Sequence, residues 1–563
     1  MPRKPVATKL CFTVSYNKSS GVFKMRKKNL LIGFFILILL VTYINWTTPV
    51  SKLLAYSENI YSRIKIIASI LDTVQRVYLE EKDTDELIQD AIRGMLADLD
   101  PHTSYLTPQE FKEWNQNFEG YSGIGVSYDI IQNKITIMSV LEKSPAAKVG
   151  LRAGDKIIEV NGESVVGLKR EEASKKLKGP VGSRVVLKVE RNGRRQPLEF
   201  QLIRERIYVK SIPYSMMLSH DTGYIKIERF AATTASELEE ALRELESRGM
   251  KKLILDLRGN SGGYLNAAID VADKFIPAGN LIVYTRGRLP STYQEYYATD
   301  ETTHPLLPLI VLIDHGSASA SEIVAGAIQD LDRGLIIGKP SFGKGLVQSQ
   351  YRFQDGSALL ITTARYFTPS GRPIQRNYYN KTKEEYYNEA YNDSLRKVKL
   401  SSNHQKTYKT ISGRIVYGGN GITPDIWVEN SENIISDKLR DLIYSDRRYF
   451  YTFLEKYAHK HKKLKTDFNH FLTSFQISES LYHQFINFVI KSNPKFRASD
   501  FIADKDDIKF IMKRELAGIL WGEDAQFKVN ILRDKPLQMA LRSFPRAELL
   551  LHMSQLKIAR GKN

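Results

Sequence analysis

The segment His315–Glu322 carries three serines separated by small residues, directly after an apolar run. Ser319 with Glu322 three residues later matches a capping box, which predicts that Ser319 is the N-cap of a helix ending near Asp330. The same position suits a nucleophile, because free N–H groups at a helix start, including that of Ala320, can stabilise an oxyanion. From the residues alone, Ser319 is therefore both a predicted helix cap and a candidate nucleophile.

A serine nucleophile needs a base to take its proton, and the sequence offers two candidates. His315 lies only four residues before Ser319, an awkward place from which to reach the serine oxygen, and no acid is clearly placed to orient it. Lys344 lies between Gly343 and Gly345 in an otherwise apolar strand–turn context. A lysine acts as a base when burial lowers its pKa enough to populate the neutral amine. We favour Lys344 over His315.

The segment Gly338–Lys344 matches the first seven positions of the phosphate-binding pattern G-x-x-x-x-G-K-[ST]. The eighth position is Gly345, so the hydroxyl that binds magnesium is missing. The residues that follow, LVQSQYRF, alternate like a strand, where a nucleotide-binding loop requires a helix. We expect no nucleotide, no other cofactor and no metal.

A glycine-rich turn, Asp256–Gly263 (DLRGNSGG), follows a predicted strand. Its paired glycines, Gly262 and Gly263, allow the backbone to turn an N–H group toward a ligand, which makes them candidates for a second oxyanion donor. A plain strand-to-helix turn is the alternative interpretation of the same residues.

Composition sets broad limits on function. The 563 residues exceed what one core accommodates, so two to four domains are expected. The single cysteine, Cys11, excludes an intramolecular disulfide. The net charge of +19 raises nucleic acid or an anionic membrane as partners. The positive residues gather at the amino terminus and in the last third, without a zinc-finger, basic-zipper or RNA-binding motif, so we expect no nucleic-acid partner.

The amino terminus predicts membrane attachment. Residues 1–28 carry eight Lys or Arg and no acid, and residues 29–46 are 18 residues without a charge. That length is near the lower limit for a membrane-spanning helix, and the flanking positive residues are expected to stay in the cytoplasm. We predict a basic leader over 1–28 and an uncleaved transmembrane signal anchor over 29–46. A cleaved signal peptide is the alternative, although no small-x-small site follows directly, and Met25 is an alternative start.

The rest of the chain divides into four regions by its periodicity. Residues 51–118 have the apolar spacing of helices, with a turn predicted at Asp100–Pro108, and residues 119–206 have the short alternating strands and turns of a small β domain. Residues 207–430 alternate strands with helices, which predicts an α/β domain with its ligands at glycine-rich strand ends. Within that region, the Tyr- and Asn-rich residues 377–410 are interpreted as a solvated insertion. Residues 431–563 are helical and basic and are interpreted as an appended packing domain.

Together these segments resemble the carboxyl-terminal processing peptidases, also called tail-specific proteases. The family combines a Ser/Lys dyad on a crotonase-like (ClpP/crotonase) α/β core with an inserted PDZ domain. The resemblance covers roughly residues 60–430 and rests on motifs that occur in the family's order. The matching segments are Asp100–Leu106, Gly120–Val126, Ser144–Gly162, Asp256–Gly263, Ser317–Glu322, Phe342–Gln348 and Gly418–Ile426. The insertion and the basic last third lie outside these motifs.

By position, the resemblance implies that Ser319 is the nucleophile, Lys344 the general base and Gln348 the residue that helps to hold the lysine. The implied oxyanion donors are Ala320 and either Gly262 or Gly263. Asp330 matches an acidic position in some members. It lies about 16 Å from Ser319 along a helix, at ~1.5 Å per residue, so we assign it a structural role.

The PDZ-like segment is expected to bind the terminal carboxylate of a substrate through backbone N–H groups, while a strand edge pairs with the extended tail and a pocket takes its apolar last side chain. The implied substrate-binding residues are Tyr121, Gly123, Ile124, Gly125 and Val126. A small β domain without a ligand is the alternative. The docked chain would then reach Ser319, whose attack gives an acyl-enzyme that water resolves.

The preferred interpretation is a single-pass serine endopeptidase of the bacterial inner membrane, with its catalytic part in the periplasm. Its substrates would be proteins and peptides with apolar carboxyl termini, and a homo-oligomer or an adaptor partner stays open. A catalytically inactive PDZ scaffold of the cell envelope is the alternative, which the intact Ser319, Lys344 and Gln348 argue against. Acyl-CoA chemistry on the same core is a third interpretation, made unfavourable by the anchor and the PDZ segment.

Overall fold

The computed structural model describes residues 50–396, 406–429 and 435–561. The chain divides into two compact units, with the boundary between Met95 and Leu96. The predicted leader and anchor, residues 1–28 and 29–46, lie outside the described residues. In the part of the chain that is described, no helix combines the length and the apolar character needed to cross a bilayer.

Two helices, α1 (Val50–Val77) and α2 (Thr84–Ala97), form the described part of the first unit and reach its boundary. Acidic residues in the first turn of α2, Asp85 and Glu86, favour a helix start there because they interact with the positive end of the helix dipole. This agrees with the helical periodicity of the sequence in this region.

The second unit begins with a strand, β1 (Ser104–Leu106), and a helix, α3 (Pro108–Glu119). The sequence predicted a turn over Asp100–Pro108, and β1 forms within it by pairing with a distant strand at Ala358–Phe367. The side chain of Thr107 caps α3, and proline occupies the first turn, where its missing N–H is not needed.

A small β domain follows, close to the predicted bounds of 119–206. Its elements are β2 (Tyr121–Gly123), β3 (Val126–Ile131), β4 (Lys134–Val140), α4 (Pro145–Lys148), β5 (Lys156–Val160), β6 (Glu163–Ser164), α5 (Arg170–Leu177), β7 (Arg184–Glu190), β8 (Leu198–Ile203) and β9 (Glu205–Ile207). The main sheet has the order β3-β4-β5-β7-β8, with β6 paired to β5, so that β3 lies at an edge. Alternate residues of its strands, such as Val185, Leu187 and Val189, are fully buried, as the period of two predicts.

The α/β region has two larger sheets and a separate two-stranded one near its end. Its elements are β10 (Tyr214–Met217), β11 (Thr222–Lys226), α6 (Thr234–Ser247), β12 (Lys252–Asp256), α7 (Leu265–Asp273), β13 (Leu281–Gly287), β14 (Gln294–Tyr297), β15 (Leu309–Ile313), α8 (Ala320–Asp330), β16 (Leu335–Gly338), β17 (Leu346–Arg352), β18 (Ala358–Phe367), α9 (Lys383–Ala390), β19 (Thr407–Lys409), β20 (Ile415–Tyr417) and β21 (Ile426–Trp427). The first sheet has the order β10-β11-β12-β15-β16-β21 and is parallel except for β10. The second, antiparallel sheet joins β1, β18, β13 and β14, with β17 also on β18.

Both faces of the parallel sheet are buried, which explains the unbroken apolar run of β15. Leu309 and Val311 pack with α6, α7 and α8 on one face. Ile310 and Leu312 pack on the other face against the last helix of the chain, where Phe544 is buried. A strand covered on both sides has no polar face, so its sequence does not alternate.

The remaining residues are helical. The helices are α10 (Asp437–Ile443), α11 (Tyr449–Lys460), α12 (Phe468–Thr473), α13 (Glu479–Ser492), α14 (Lys505–Trp521), α15 (Glu523–Asn530) and α16 (Lys535–Gly561). Helices α10 to α15 enclose an apolar cluster of their own. Helix α16 differs from the interpretation as an appended packing domain, because it forms the second layer of the parallel sheet.

Candidate active site

Ser319 lies at the junction of a buried strand and a buried helix. The chain leaves β15, crosses a short loop and enters α8 after Ser319, which adopts φ 54° and ψ −114°. Such a conformation costs a non-glycine residue about 1–3 kcal/mol, which the surrounding packing must hold. The Ser319 hydroxyl makes no capping hydrogen bond, nor one to any other described residue. The strained backbone therefore presents a hydroxyl that the fold does not use.

Glu322 forms only half of the predicted capping box. Its carboxylate accepts from the Ser319 N–H at 2.8 Å, but its own N–H donates to the carbonyl of Ser319 rather than to the hydroxyl. The buried carboxylate also accepts from the Ser341 hydroxyl at 2.5 Å, from the Gly343 N–H at 2.7 Å and from the Lys344 N–H at 2.8 Å. Burial raises the pKa of Glu322, an effect that these hydrogen bonds only partly offset. One carboxylate thus joins the backbone of the predicted nucleophile to that of the predicted base.

The Lys344 side chain is oriented by Gln348. Lys344 Nζ donates to Gln348 Oε1 at 2.7 Å, and Gln348 Nε2 donates to the carbonyl of His102 at 2.7 Å. Burial lowers the pKa of Lys344, while the charges of Asp100 and Glu322 oppose part of that shift. The lowered pKa increases the fraction of neutral amine, which is the form that can accept a proton.

Tyr366, on β18, provides a second bridge between the two segments. Its hydroxyl lies 3.1 Å from the carbonyl oxygen of Ser319 and also donates to the carbonyl of Lys344. Burial raises the pKa of Tyr366 well above its usual range, so the hydroxyl keeps its proton. The structure therefore brings Ser319 and Lys344, 25 residues apart in the chain, to one place through contacts at both segments.

Of the predicted oxyanion donors, the N–H groups of Ala320 and Gly263 have no acceptor among the described residues. The N–H of Gly262 differs, because it donates to Asn260 Oδ1 at 2.9 Å. Gly262 instead packs against Ser319, since a Cβ there would lie 2.8 Å from Ser319 Cβ. Of the two glycines that the sequence left open, Gly263 is the one with an available donor.

Both ring nitrogens of His315 are occupied. Nδ1 lies 2.9 Å from the Pro340 carbonyl, and Nε2 contacts Asp393, which also accepts from Lys339 Nζ at 2.7 Å. The sequence showed no acid placed to orient His315, and Asp393 is such an acid, 78 residues away in the chain. Because neither nitrogen is directed to Ser319, the structure does not support His315 as its base.

Asp330 lies at the far end of α8 from Ser319. It is buried and forms an ion pair with Arg372 at 2.8 Å, and it accepts from the Ser370 N–H at 3.0 Å. These contacts join α8 to the segment after β18. The structural role expected for Asp330 agrees with this position.

The phosphate-loop resemblance of Gly338–Gly345 has no counterpart in the fold. Strand β16 ends at Gly338, and the residues after Gly345 form β17 rather than a helix. The N–H of Gly345 donates to Gln375 Oε1 at 2.9 Å, so it is not free for a phosphate.

The predicted carboxylate-binding turn lines a cavity of about 50 Å³ in the β domain. All five predicted residues, Tyr121, Gly123, Ile124, Gly125 and Val126, contribute to it, together with Tyr128, Ser174, Leu177 and Lys178. The N–H groups of Ile124 and Gly125 have no acceptor among the described residues. Gly125 has φ 78°, and a Cβ there would lie 2.3 Å from Ser144 Cβ, so only glycine fits. The turn offers free donors beside the unpaired edge of β3.

Residues that the sequence reasoning did not assign also support the site. His102 contributes its carbonyl to Gln348, and its motif, DPHTSYL, was recognised without a role for the histidine. Asn260 lies in the recognised glycine-rich turn but was given no role of its own, and Tyr366 gave no signal because a tyrosine in a strand is common.

Family models match three parts of the chain. Peptidase family S41 matches residues 221–383, a PDZ domain matches residues 136–191, and a family of unknown function matches residues 441–522. The peptidase match includes Ser319, Lys344 and Gln348, whereas the PDZ match begins after the carboxylate-binding turn.

Similar proteins carry consistent descriptions. A carboxy-terminal-processing protease of Bartonella bacilliformis is 39% identical over 328 residues, which cover 56% of this chain and 74% of that protein. The carboxy-terminal processing protease CtpB of Bacillus subtilis is 35% identical over 315 residues, 55% of this chain and 65% of that protein. A solved photosystem II D1 C-terminal processing protease is 25% identical, with coverage of 66% and 94% and a TM-score of 0.34.

Proposed function

We propose a mechanism on the premise that this chain belongs to the carboxyl-terminal processing peptidases of family S41 and is a serine-type peptidase. Ser319 is the nucleophile and the neutral amine of Lys344 is its general base. The observation that supports this assignment is that the Ser319 hydroxyl is unengaged while Lys344 is buried. The backbone N–H groups of these two residues donate to the same carboxylate oxygen of Glu322.

In the first half-reaction, Ser319 Oγ attacks the scissile carbonyl while Lys344 Nζ takes its proton. The N–H groups of Ala320 and Gly263 stabilise the oxyanion of the tetrahedral intermediate. Lys344 then returns the proton to the leaving amine, and the acyl-enzyme forms. Water deprotonated by the same lysine hydrolyses the ester and frees Ser319.

The PDZ domain selects the substrate by its carboxyl terminus. The N–H groups of Ile124 and Gly125 bind the terminal carboxylate, and the edge of β3 pairs with the extended tail. The cavity of about 50 Å³ suits a small apolar last side chain better than an aromatic one. The tail is held there while the upstream chain reaches Ser319.

Residues 29–46 anchor the enzyme to a bacterial inner membrane, with the protease on the periplasmic side. The support for this is the uncharged stretch of 18 residues after Arg26-Lys27-Lys28. Deletion of residues 29–46 is expected to move the protein from the membrane fraction to the soluble fraction. Recovery of the deletion variant in the membrane fraction would exclude this segment as the anchor.

The catalytic assignment is tested with a reporter peptide that ends in a free Ala-Ala carboxyl terminus. Wild-type protein should cleave it, and Ser319→Ala and Lys344→Ala should each lower kcat by about 10³-fold or more, as removal of a nucleophile or its base does in other serine hydrolases. The same peptide with an amidated carboxyl terminus should show a raised KM. Cleavage unchanged by Ser319→Ala would overturn the dyad, and tail binding by a wild-type protein that never cleaves would favour the inactive scaffold.

A further inference from the structure

The Tyr- and Asn-rich insertion is not a solvated segment where it passes the site. Helix α9 buries Tyr386 completely, in a cluster that contains Ala318 and Phe342, the neighbours of the nucleophile and of the base loop. The guanidinium of Arg376 lies 4.3 Å from the Tyr386 ring centroid. The peptidase family match ends at residue 383, three residues before Tyr386. Tyr386 itself therefore comes from outside the matched peptidase segment, whereas Ala318, Phe342 and Arg376 lie inside it.

The first branch of contacts runs from Tyr386 to the residue after the base. Gln375 Nε2 donates to the Tyr386 hydroxyl at 3.0 Å, and Gln375 Oε1 accepts from the Gly345 N–H at 2.9 Å. Because the Tyr386 oxygen accepts this hydrogen bond from Gln375, the proton of its hydroxyl is available for a second acceptor. Burial raises the pKa of Tyr386 to about 12, so that proton is present at neutral pH.

The second branch runs through His102 to the base itself. The Tyr386 hydroxyl lies 3.2 Å from His102 Nε2, and the Tyr387 hydroxyl lies 3.3 Å from His102 Nδ1. Burial and the charge of Lys344 lower the pKa of His102 to about 3, so the ring is neutral. If Tyr386 donates to Nε2, the ring proton is on Nδ1 and points to Tyr387, and both ring nitrogens are satisfied.

The ring contacts fix the backbone of His102, and with it the amide of Gln348. The His102 carbonyl accepts from Gln348 Nε2 at 2.7 Å, which leaves Gln348 Oε1 facing Lys344 Nζ. A rotated amide would direct two N–H donors toward a lysine amine that also donates. The orientation of the base thus depends on where the His102 carbonyl lies.

We propose that Tyr386 is a positioning residue for Lys344, and that the insertion is thereby a working part of this chain's catalytic site. The hydroxyl of Tyr386 holds the base from two directions, through Gln375 and Gly345 on one side and through His102 and Gln348 on the other. This inference rests on the assignment of Lys344 as the general base.

Loss of the hydroxyl has a defined consequence. It leaves Gln375 Nε2 and His102 Nε2 each without one buried partner, which is costly unless water enters to replace it. Water beside Lys344 reduces the desolvation that lowers its pKa, so the pKa rises toward that of free lysine. The ionisable groups around Lys344 are Asp100, Glu322, Tyr366 and the neutral His102.

The test compares Tyr386→Phe, Tyr387→Phe and Tyr391→Phe in the full-length protein. Tyr391→Phe is the matched control, since Tyr391 belongs to the same insertion, is 62% exposed and has a hydroxyl without a hydrogen bond to any described residue. Tyr386→Phe should lower kcat about 10-fold, as expected for loss of buried hydrogen bonds, with KM within about twofold. The midpoint of its pH–rate profile should move to higher pH. Tyr387→Phe should shift both quantities in the same direction by less, and Tyr391→Phe should match wild type.

A second readout separates this inference from the dyad assignment. The rate of labelling by an organophosphonate reports the nucleophilicity of Ser319 without a peptide tail, and peptide mapping locates the label. If wild type is labelled at Ser319 and Tyr386→Phe reacts as fast as Tyr391→Phe, the positioning role is wrong while the dyad stands. If the label lies elsewhere, or Ser319→Ala is labelled equally, the dyad itself fails. Should Tyr386→Phe not fold, an unshifted pH profile for Tyr387→Phe would equally contradict the proposal.

Discussion

The candidate site has two sides, named after the proposed roles of their residues: the nucleophile side around Ser319 and the base side around Lys344. The two sides are held by different kinds of contact. On the nucleophile side, backbone packs on backbone: a Cβ on Gly263 would lie 2.1 Å from the Phe230 carbonyl oxygen, and one on Gly262 would lie 2.8 Å from the Ala318 carbonyl oxygen. On the base side, side chains from separate segments converge on the loop around Lys344. The nucleophile side should therefore tolerate no added atom, whereas the base side should respond in steps to the loss of single hydrogen bonds.

Each side also has support from a segment outside the peptidase family match. The insertion reaches the base side through Tyr386. The C-terminal extension reaches the glycine-rich turn of the nucleophile side, where Asp534 forms two hydrogen bonds with Arg258, at 2.8 and 2.7 Å. Substitutions on each side test whether the two sides differ in this way, and their expected effects decrease from Gly263 to Asp534.

Gly263→Ala should have the largest effect. The added methyl collides with backbone, and the φ of +150° is unfavourable for alanine, so the turn must move and its N–H leaves the oxyanion position. We expect kcat to fall by about 10³-fold, at the upper end for loss of an oxyanion donor. Initial rates on the reporter peptide measure the effect, with thermal melting as a check on folding.

The control for this prediction is Gly279→Ala. Gly279 has φ +80° and open space at the Cβ position, so it introduces backbone strain without a collision. If Gly263→Ala keeps activity within about tenfold of this control, the assignment of its N–H to the oxyanion hole is wrong.

Glu322→Gln should rank second, because it acts on both sides at once. The carboxylate accepts four hydrogen bonds, and an amide nitrogen in place of one oxygen would face two donors. At about 1–3 kcal/mol for each unsatisfied buried donor, we expect a loss of stability of about 2–4 kcal/mol and a kcat lower by about 10²-fold. Denaturant unfolding and initial rates measure the two effects.

Glu244→Gln is the matched control, since Glu244 is exposed on α6 and its carboxylate pairs, among the described residues, only with Arg248 at 3.5 Å. It should change stability by less than about 0.5 kcal/mol. Equal stability and activity for the two variants would show that Glu322 does not join the two segments.

Gln348→Glu should rank third and should act through pH. In wild type, burial lowers the pKa of Lys344. Because the neutral amine is the proposed active form, the rate should rise with pH and reach half of its maximum below the ~10.4 of free lysine. A carboxylate beside Lys344 favours the ammonium and moves that midpoint upward. We expect kcat at neutral pH to fall about 10-fold, with partial recovery in alkaline buffer.

Lys344→Arg provides the comparison for this profile, because arginine stays protonated throughout the accessible range. It should be inactive at every pH. A wild-type rate independent of pH between 6 and 10, or an active Lys344→Arg variant, would contradict the role of a neutral lysine.

Asp534→Asn should have the smallest effect. Arg258 keeps its pairing with Asp256 at 2.6 Å, so the turn is not left with an unpaired buried charge. We expect a stability loss of about 1 kcal/mol and a change in kcat of about threefold or less. Asp524→Asn, on the exposed side of α15, is the control. A loss of activity comparable to that of Gly263→Ala would show that the C-terminal extension contributes far more to the oxyanion turn than the contacts indicate.

Much of the architecture could be predicted from the sequence, because its signals are local. The β-domain bounds follow from a period of two and from turn residues, and the strand after Lys344 follows from the alternation of LVQSQYRF. The turn predicted at Asp100–Pro108 instead contains a strand, because β1 pairs with residues more than 250 positions away. The interpretation of α16 as part of an appended domain also differed from the structure. The sequence of the helix does not indicate that the helix packs against a distant sheet.

The candidate residues of the site could also be identified in the sequence, whereas their spatial arrangement and hydrogen-bond partners could not. The capping box at Ser319 has the right residue types, but Ser319 has a positive φ and its hydroxyl makes no capping hydrogen bond. Asp393 was not recognised as a partner of His315, because it lies in a polar segment without a motif. The sequence alone does not show which of Gly262 and Gly263 has a free N–H donor. The hydrogen bond from the Gly262 N–H to Asn260 Oδ1 distinguishes them.

The sequence by itself determined which residue types are available for chemistry, since Ser319, Lys344 and Gln348 carry their reactive groups in any fold. It also determined the elements that end at those residues, because helix and strand periodicity are properties of neighbours along the chain. Only the tertiary structure decided that Glu322 joins the two segments and that Gly263 keeps a free N–H. It alone showed that Tyr386 of the insertion contacts Gln375 and His102, beside Lys344. Those facts depend on contacts between distant segments, and the burial that lowers the pKa of Lys344 exists only when those segments pack together.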